Sequence, residues 1–274
     1  MTDVVATTLS AAPMQDDVTL DFRGQTVVLS GGSRGIGLAV AKAFVRSHAD
    51  LRVLADDPTL TSVVAELATS AKGKVSGRIG DIAESGAATA MLSDIPKIDV
   101  LIANAGMERL TPIDDLSAEA EEYFRRVIAV NVIGTYLTVR AAVPKMRSES
   151  RIILTSSVWG KSAVGEFGAY IASKHAVIGL MRSLARELGP RGIRVNCVCP
   201  GWVRTEAALK SLRQMSERSG IGEADILDEV LTSQCLPGFQ APDDVPGLFV
   251  FLASSLSRNI TGQAINIDRG EFLG

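Results

Sequence analysis

Cysteine is scarce, with three residues in a chain of 274. Three thiols cannot staple a fold of this length, so a disulfide scaffold is excluded. Histidine is scarcer: His48 and His175 are the only two, which excludes a histidine-rich metal site. There is no excess or block of basic residues, 28 Lys+Arg standing against 31 Asp+Glu for a net charge of −3. The chain therefore lacks the electrostatic footprint of a nucleic-acid binder. No uncharged apolar run approaches the roughly 18 residues that a membrane span needs, so no membrane partner is expected. Residues 1–25 lack a basic n-region and are interrupted by Asp3, Asp16, Asp17 and Asp21, so no signal peptide is expected. The predicted location is the cytoplasm, with Cys197, Cys199 and Cys235 as free thiols. Cys197 and Cys199, two apart, share one face of a strand and read as small buried hydrophobes rather than a metal or redox pair.

What is present fits an ordinary globular chain. Hydrophobic residues make up 46% and charged residues 22%, which excludes a disordered chain. The length admits one large α/β domain or two small ones. With no internal repeat and no Pro/Gly/Ser linker, one domain over 22–274 behind a mobile tail, 1–21, is the better reading. Short apolar runs at 26–29, 51–55, 75–79, 100–103, 151–155, 194–198 and 263–267 read as strands. Several lack strict alternation, as strands buried on both faces do. Helical periodicities lie between them at 36–47, 60–71, 83–92, 118–146, 170–188 and 243–253. This alternation predicts a single Rossmann-like, doubly wound α/β domain: a seven-stranded, mainly parallel sheet with helices on both faces.

The first strand runs into Ser30-Gly31-Gly32-Ser33-Arg34-Gly35-Ile36-Gly37. Without a Cβ, Gly31 can turn sharply off the strand, Gly35 can approach a pyrophosphate, and Gly37 can pack its helix onto the sheet. The helix N-terminus adds free N–H groups and a positive dipole. The spacing is G-x-x-x-G-x-G, and no Gly-Lys-Ser/Thr follows to make a P-loop. A dinucleotide site is expected. Asp56 lies 19 residues after Gly37 at the end of the second strand, where an acid accepts from ribose hydroxyls and repels a 2′-phosphate. Asp57 is its understudy. Arg34 pulls the other way, towards a 2′-phosphate, but the acid sits closer to the discriminating group, so NAD is favoured over NADP.

In Tyr170-Ile171-Ala172-Ser173-Lys174, positions i and i+4 share a helix face, so the phenol and the ammonium point the same way. A free phenol, with a pKa of about 10, is a poor base at neutral pH. A neighbouring cation lowers that pKa towards the working range. Hydride loss from an alcohol requires such a proton acceptor. Thirteen residues before Tyr170, Ser157 follows the fifth strand. Ligands bind at that edge of a parallel sheet, and the serine hydroxyl can meet the reacting oxygen.

With these motifs in order, the chain from about residue 22 to 273 resembles the short-chain dehydrogenase/reductase family. The nucleotide motif T-G-x-x-x-G-x-G is matched from Ser30 to Gly37, with Ser in the first place. The N-N-A-G motif reads Ala103-Asn104-Ala105-Gly106, losing its first Asn. Asp81, followed by Ile82, matches the adenine-side acid. Asn131, three residues before Gly134, matches the helix asparagine. Ser157, Tyr170 and Lys174 match the Ser-Tyr-Lys set. Pro200-Gly201, with Val203 and Thr205, matches the turn beside the nicotinamide carboxamide. I-T-G-Q stands at Ile260 to Gln263, and the following D-G-G reads Asp268-Arg269-Gly270. The resemblance implies that Tyr170 is the general acid/base. It implies that Lys174 holds the nicotinamide ribose and depresses the Tyr170 pKa, that Ser157 polarises the substrate oxygen, and that Asn131 holds a relay water. It also implies nucleotide contacts from Gly31, Ser33, Arg34, Gly35, Ile36, Gly37, Asp56, Asp81, Ile82, Asn104, Ala105 and Gly106, and from Pro200, Gly201, Val203 and Thr205.

The substrate end is expected around Glu108, Trp159, Lys161, Glu166, Trp202 and Arg269, beside Ser157 and Tyr170. Segment 205–237, long and charged, is expected to act as a lid. Charged and polar groups there suggest a sugar, polyol or hydroxy acid, oxidised or formed as a secondary alcohol. The alternatives are an NADPH-dependent 3-oxoacyl thioester reductase and a non-catalytic nucleotide-binding protein. The resemblance further implies a homotetramer or homodimer, built through the long helices and the last strand.

Overall fold

The computed structural model describes residues 20–273. All but the last two positions of the expected tail, 1–21, lie outside the described residues. Strand β1 (Thr26–Ser30) shows why the sheet is buried on both sides: Val27, Val28 and Leu29 have no exposed surface. Side chains alternate across a strand. Val28 therefore joins one core with Leu101 and Ile152, while Val27 and Leu29 join another with Ile102. The remaining strands are β2 (Asp50–Ala55), β3 (Val75–Ile79), β4 (Val100–Ala103), β5 (Arg151–Thr155), β6 (Arg194–Pro200) and β7 (Ala264–Ile267). Among the described residues they form one seven-stranded sheet of order β3-β2-β1-β4-β5-β6-β7, parallel throughout. Burial at every position of β6 makes Cys197 and Cys199 the small core residues expected of them, and burial pushes both thiols up.

Helices α1 (Gly35–Arg46), α2 (Leu60–Ser70) and α9 (Pro246–Ala253) cover one face, with Val40 and Phe44 of α1 and Phe249 and Leu252 of α9 in its core. Helices α3 (Ala87–Met91), α4 (Ala118–Ile128), α5 (Thr135–Ala142) and α6 (Gly168–Leu188) cover the other, through Val139 of α5 and Val177, Met181 and Leu184 of α6. Arg194, at the start of β6, is buried where α9 ends. It donates to the Leu252, Ser254 and Ser257 carbonyls at 2.9–3.1 Å and to the Ser257 hydroxyl. A cation there meets the negative end of the α9 dipole and satisfies carbonyls that the helix leaves unpaired.

Three segments differ from the sequence expectation. Helix 83–92 shortens to α3, because Asp81 accepts from the Ala83 amide and makes a turn instead. The expected helix 118–146 is interrupted. A π-helical turn, Ala129–Gly134, separates α4 from α5, and a 3-10 turn, Val143–Lys145, ends the rod. This rod, Ala118–Lys145, holds an 18-residue stretch of mean hydropathy 1.5, long and apolar enough to cross a membrane by length and composition alone. Its buried side, from Val127 through Asn131 and Thr135 to Val139, nevertheless faces the sheet and α6. Segment 205–237, read as a lid without assigned structure, folds as helices α7 (Glu206–Ser219) and α8 (Glu223–Thr232). They are seated by Leu212 and Ile226 on a third apolar cluster with Trp159, Phe167 and Trp202.

Candidate active site

Successive strands leave β1 in one direction and β4 in the other, so the C-terminal ends of these two neighbours flank a crevice. Polar side chains lace its floor. The Ser30 hydroxyl accepts from the Asn104 and Ala105 amides at 3.1 and 3.2 Å. Asn104 donates through Nδ2 to the Gly31 carbonyl at 3.0 Å and accepts from the Thr155 hydroxyl at 3.1 Å. One asparagine thus ties the ends of β1, β4 and β5 together. Gly31, at φ +71°, adopts the left-handed conformation, and a Cβ there would stand 2.6 Å from Ala105 Cα. Above this floor lies a cavity of about 650 Å³, open to solvent.

All the residues expected to contact a nucleotide line this cavity, from Gly31 through Thr205. Asp56 is exposed at the tip of β2 and lines it. Asp57 does not. It accepts from the Ser33 hydroxyl at 2.5 Å, from the Thr59 amide at 3.0 Å and from the Thr59 hydroxyl. The hydroxyl donors hold its carboxyl below the usual range. The two acids divide their work: Asp57 fixes the glycine turn and Asp56 faces the cavity. The Arg34 guanidinium, largely exposed, stands 3.9 Å from Asp57. Asp81 is held by Arg126 at 2.5 Å. Arg126 also lines the cavity and had no sequence signal, since an arginine in the charged α4 resembles any solvated cation. These residues fit a nicotinamide dinucleotide. A Cβ-free turn at a helix N-terminus suits phosphates, and an acid at the tip of β2 suits a ribose.

At the other end, α6 begins at Gly168, so Tyr170 lies in its first turn, where the helix dipole favours a phenolate. Lys174, one turn later and buried, donates from Nζ to the Thr155 carbonyl at 3.0 Å and lies 5.4 Å from the centre of the Tyr170 ring. Burial pushes its pKa down to about 8. From the sequence, Lys174 is expected to lower the Tyr170 pKa. In the structure burial, followed by the Glu108 carboxylate, raises it, and hydrogen bonding with Ser157 opposes the rise. Ser157 also accepts from the Trp159 amide at 3.2 Å. The Trp159 ring stands edge-on to both Tyr170 and Trp202, at 6.0 Å in each case.

Asn131, in the π-helical turn, is fully buried and does not line the cavity. Its amide donates to the Met107 carbonyl and the Ser173 hydroxyl, at 2.9 and 2.8 Å, and accepts from the Met107 amide at 2.8 Å. The side chain thus clamps the loop after β4 rather than offering its N–H groups to a relay water. A Cβ on Gly106 would sit 3.2 Å from Asn131 Oδ1 and 3.4 Å from Lys174 Nζ, so both groups crowd the same side of this backbone.

Of the residues expected at the substrate end, Glu108, Ser157, Trp159, Tyr170 and Trp202 line the cavity. Glu166, Lys161 and Arg269 do not. Glu166 accepts from Arg218 Nε and Nη2 at 3.0 and 2.9 Å, which ties its loop to α7 instead. Lys161 reaches the Ala264 carbonyl and Asn266 across β7, and Arg269 donates to the Pro237 carbonyl. Each had the right sequence neighbourhood, but a partner outside the cavity took its charge. Helix α7 brings Glu206, Ala207, Ala208 and Lys210 to the cavity wall, none of them anticipated. Glu271, also unanticipated, stands behind the Gly201 turn, where burial raises its carboxyl to about 7.

A doubly wound parallel sheet with a glycine turn at its switch point defines the class of dinucleotide-binding Rossmann proteins. Residues 31–271 match a family model described as enoyl-(acyl carrier protein) reductase, and the chain belongs to the short-chain dehydrogenase/reductase family. It is 31% identical over 257 residues to a D-beta-hydroxybutyrate dehydrogenase of Cupriavidus necator, covering 91% of this chain and 98% of the relative. A 3-oxoacyl-[acyl-carrier protein] reductase from Brucella melitensis, solved with NAD, superposes with a TM-score of 0.80 at 26% identity, over 93% of this chain and 94% of that one. A structure from Beutenbergia cavernae with bound NADP superposes at 0.81 and 30% identity, over 92% and 98%. The chain is an oxidoreductase that interconverts a secondary alcohol and its carbonyl with a nicotinamide nucleotide.

Proposed function

We propose that this oxidoreductase prefers NAD and acts on a polar secondary alcohol or its ketone, with Tyr170 moving the hydroxyl proton. The observation that carries the reading is the convergence of Ser157, Tyr170 and Lys174 on the cavity that Asp56 lines at its far end. A nicotinamide nucleotide held in this cavity would supply the hydride acceptor or donor. In oxidation the Tyr170 phenolate takes the hydroxyl proton as the C–H bond breaks, and in reduction the phenol returns it. Ser157 orients the reacting oxygen. Lys174 holds a ribose hydroxyl and keeps a positive charge beside the phenolate. Gly31, Gly35 and the start of α1 take the pyrophosphate, and Asp56 takes the adenosine ribose.

The NAD preference rests on charge. A unit charge about 4 Å from a like charge costs about 4 kcal/mol at an effective dielectric of about 20. Solvent at the exposed Asp56 reduces this repulsion of a 2′-phosphate. We expect kcat/KM with NAD to exceed that with NADP by about 10²-fold, of which each tenfold is about 1.4 kcal/mol. Asp56→Ser should bring the two within about tenfold, helped by the exposed Arg34. Better turnover with NADPH by the wild-type chain would overturn the assignment. It would favour a 3-oxoacyl thioester reductase, the activity in the name of the Brucella neighbour.

We also infer a homo-oligomer in a reducing, cytoplasmic setting. The outer side of the 118–145 rod carries Phe124, Ile133 and Tyr136, each close to half exposed, and such a stripe suits a second copy of the chain. Sedimentation should give a mass above the 28.9 kDa of one chain. Ile133→Glu should lower it, and a wild-type monomer at working concentration would refute this reading.

A further inference from the structure

The Cupriavidus relative carries the name of a hydroxy-acid dehydrogenase, whose substrate is an anion, yet the substrate end of this cavity holds a carboxylate of its own. Glu108 lines that end beside Tyr170, and its charge reaches both Tyr170 and Lys174. Its backbone is fixed, because Asn131 grips the preceding Met107 through both amide and carbonyl. Burial pushes the Glu108 carboxyl up, and the Ser211 hydroxyl and the cations Lys174 and Arg109 oppose that rise and favour its charge, though each cation also holds a main-chain carbonyl. Arg109 donates to the Glu108 main-chain carbonyl at 3.0 Å and lies 6.0 Å from the centre of the Tyr123 ring. Lys174 donates to Thr155. From α7, Lys210 and, one turn earlier, Glu206 also line the cavity, a cation and an anion on one wall. The one neutral hydroxyl that meets the carboxyl is that of Ser211, which is itself buried.

We propose that Glu108 determines substrate charge: it accepts a hydrogen bond from a second hydroxyl of a neutral polyol or sugar and rejects substrates that carry a carboxylate near the reacting carbon. The proposal rests on the dehydrogenase reading above and narrows it. A carboxylate accepts hydrogen bonds and, ionised, offers none, so a hydroxyl satisfies it and a second carboxylate cannot. Like charges brought together out of bulk water repel strongly, and a buried acceptor left without a partner weakens binding further. The two tryptophans of the chain, Trp159 and Trp202, line the same cavity, edge-on to one another, and add apolar surface beside the carboxyl.

The test compares two compounds of one skeleton, 1,3-butanediol and 3-hydroxybutyrate, with wild type, Glu108→Gln and Glu108→Ser. NAD reduction gives kcat/KM, and tryptophan fluorescence of the NAD complex gives binding without turnover. We expect the wild-type chain to favour the diol at least about tenfold in both measurements. Glu108→Gln should bring the two compounds within about threefold, mainly by improving the acid. The same variant should move the midpoint of the pH–rate profile for diol oxidation downwards. Burial would still raise the Tyr170 phenol, but the Glu108 carboxylate, which raises it further, would be gone. A wild-type preference for the acid, or a ratio unchanged in both variants, overturns the proposal. Absence of turnover of both compounds with either nucleotide, together with the expected fluorescence ratios, counts against the dehydrogenase reading and still supports the role of Glu108.

Discussion

Tyr170→Phe should lower kcat by about 10²–10⁴-fold, the usual worth of a positioned acid/base, and leave NAD binding close to wild type. The phenyl ring keeps the edge-on contact with Trp159 and the packing at the first turn of α6, so only the proton-carrying oxygen is lost. Burial and Glu108 hold the phenol above its ordinary range, so alcohol oxidation, which needs the phenolate, should accelerate as pH rises. Carbonyl reduction, which needs the phenol, should slow over the same interval. Tyr170→Phe should remove both dependences, which a structural role for the ring would not do. Turnover within about tenfold of wild type, equivalent to about 1.4 kcal/mol of barrier, would remove Tyr170 from the proposed role.

The positions of Tyr170 and Lys174 were legible in the sequence because a helix repeats every 3.6 residues, and four positions carry a side chain once around it. The glycine turn was legible because missing Cβ atoms report backbone that must come close. The strands were legible because burial on both faces leaves apolar runs such as Val27-Val28-Leu29. What stayed hidden depends on partners far apart in sequence. Nothing near Glu166 announces Arg218, which draws it out of the cavity. The π-helical turn at Asn131 has no sequence mark, because the same residues would sit in an ordinary helix until Met107 and Ser173 claim the side chain. Helices α7 and α8 bury few side chains, Ser211, Leu212 and Ile226 among them, so their apolar period is too sparse to read. The sign of the shift at Tyr170 depended on burial and on Glu108, neither of which is visible from the spacing to Lys174.

The same single-atom change should have opposite consequences at two glycines. At Gly37 an added Cβ would collide with the Gly31 carbonyl and stand 2.6 Å from Asn104 Nδ2. Both are fixed: the carbonyl belongs to the turn off β1, and Asn104 is held in turn by Thr155. Neither can yield like the end of a flexible side chain. Helix α1 would have to lift from the sheet, breaking the Asn104 link between β1 and β4 and moving the N–H groups at its first turn. Overpacking of this kind costs about 1–3 kcal/mol, and the loss of the Asn104 bond adds about 1 kcal/mol. Gly37→Ala should therefore lower Tm and weaken NAD binding by at least about 10²-fold. Gly179 lies on the exposed side of α6, and a Cβ there meets nothing within 4 Å. Gly179→Ala should stabilise the protein by about 0.5–1 kcal/mol, since alanine loses less backbone entropy in a helix interior. NAD affinity should not move, because Gly179 lies on the far side of the helix from Tyr170 and Lys174. Calorimetric unfolding and an NAD titration on both variants separate the two effects. Tight nucleotide binding by Gly37→Ala would mean that the contact of α1 with the turn is not what shapes the phosphate cradle.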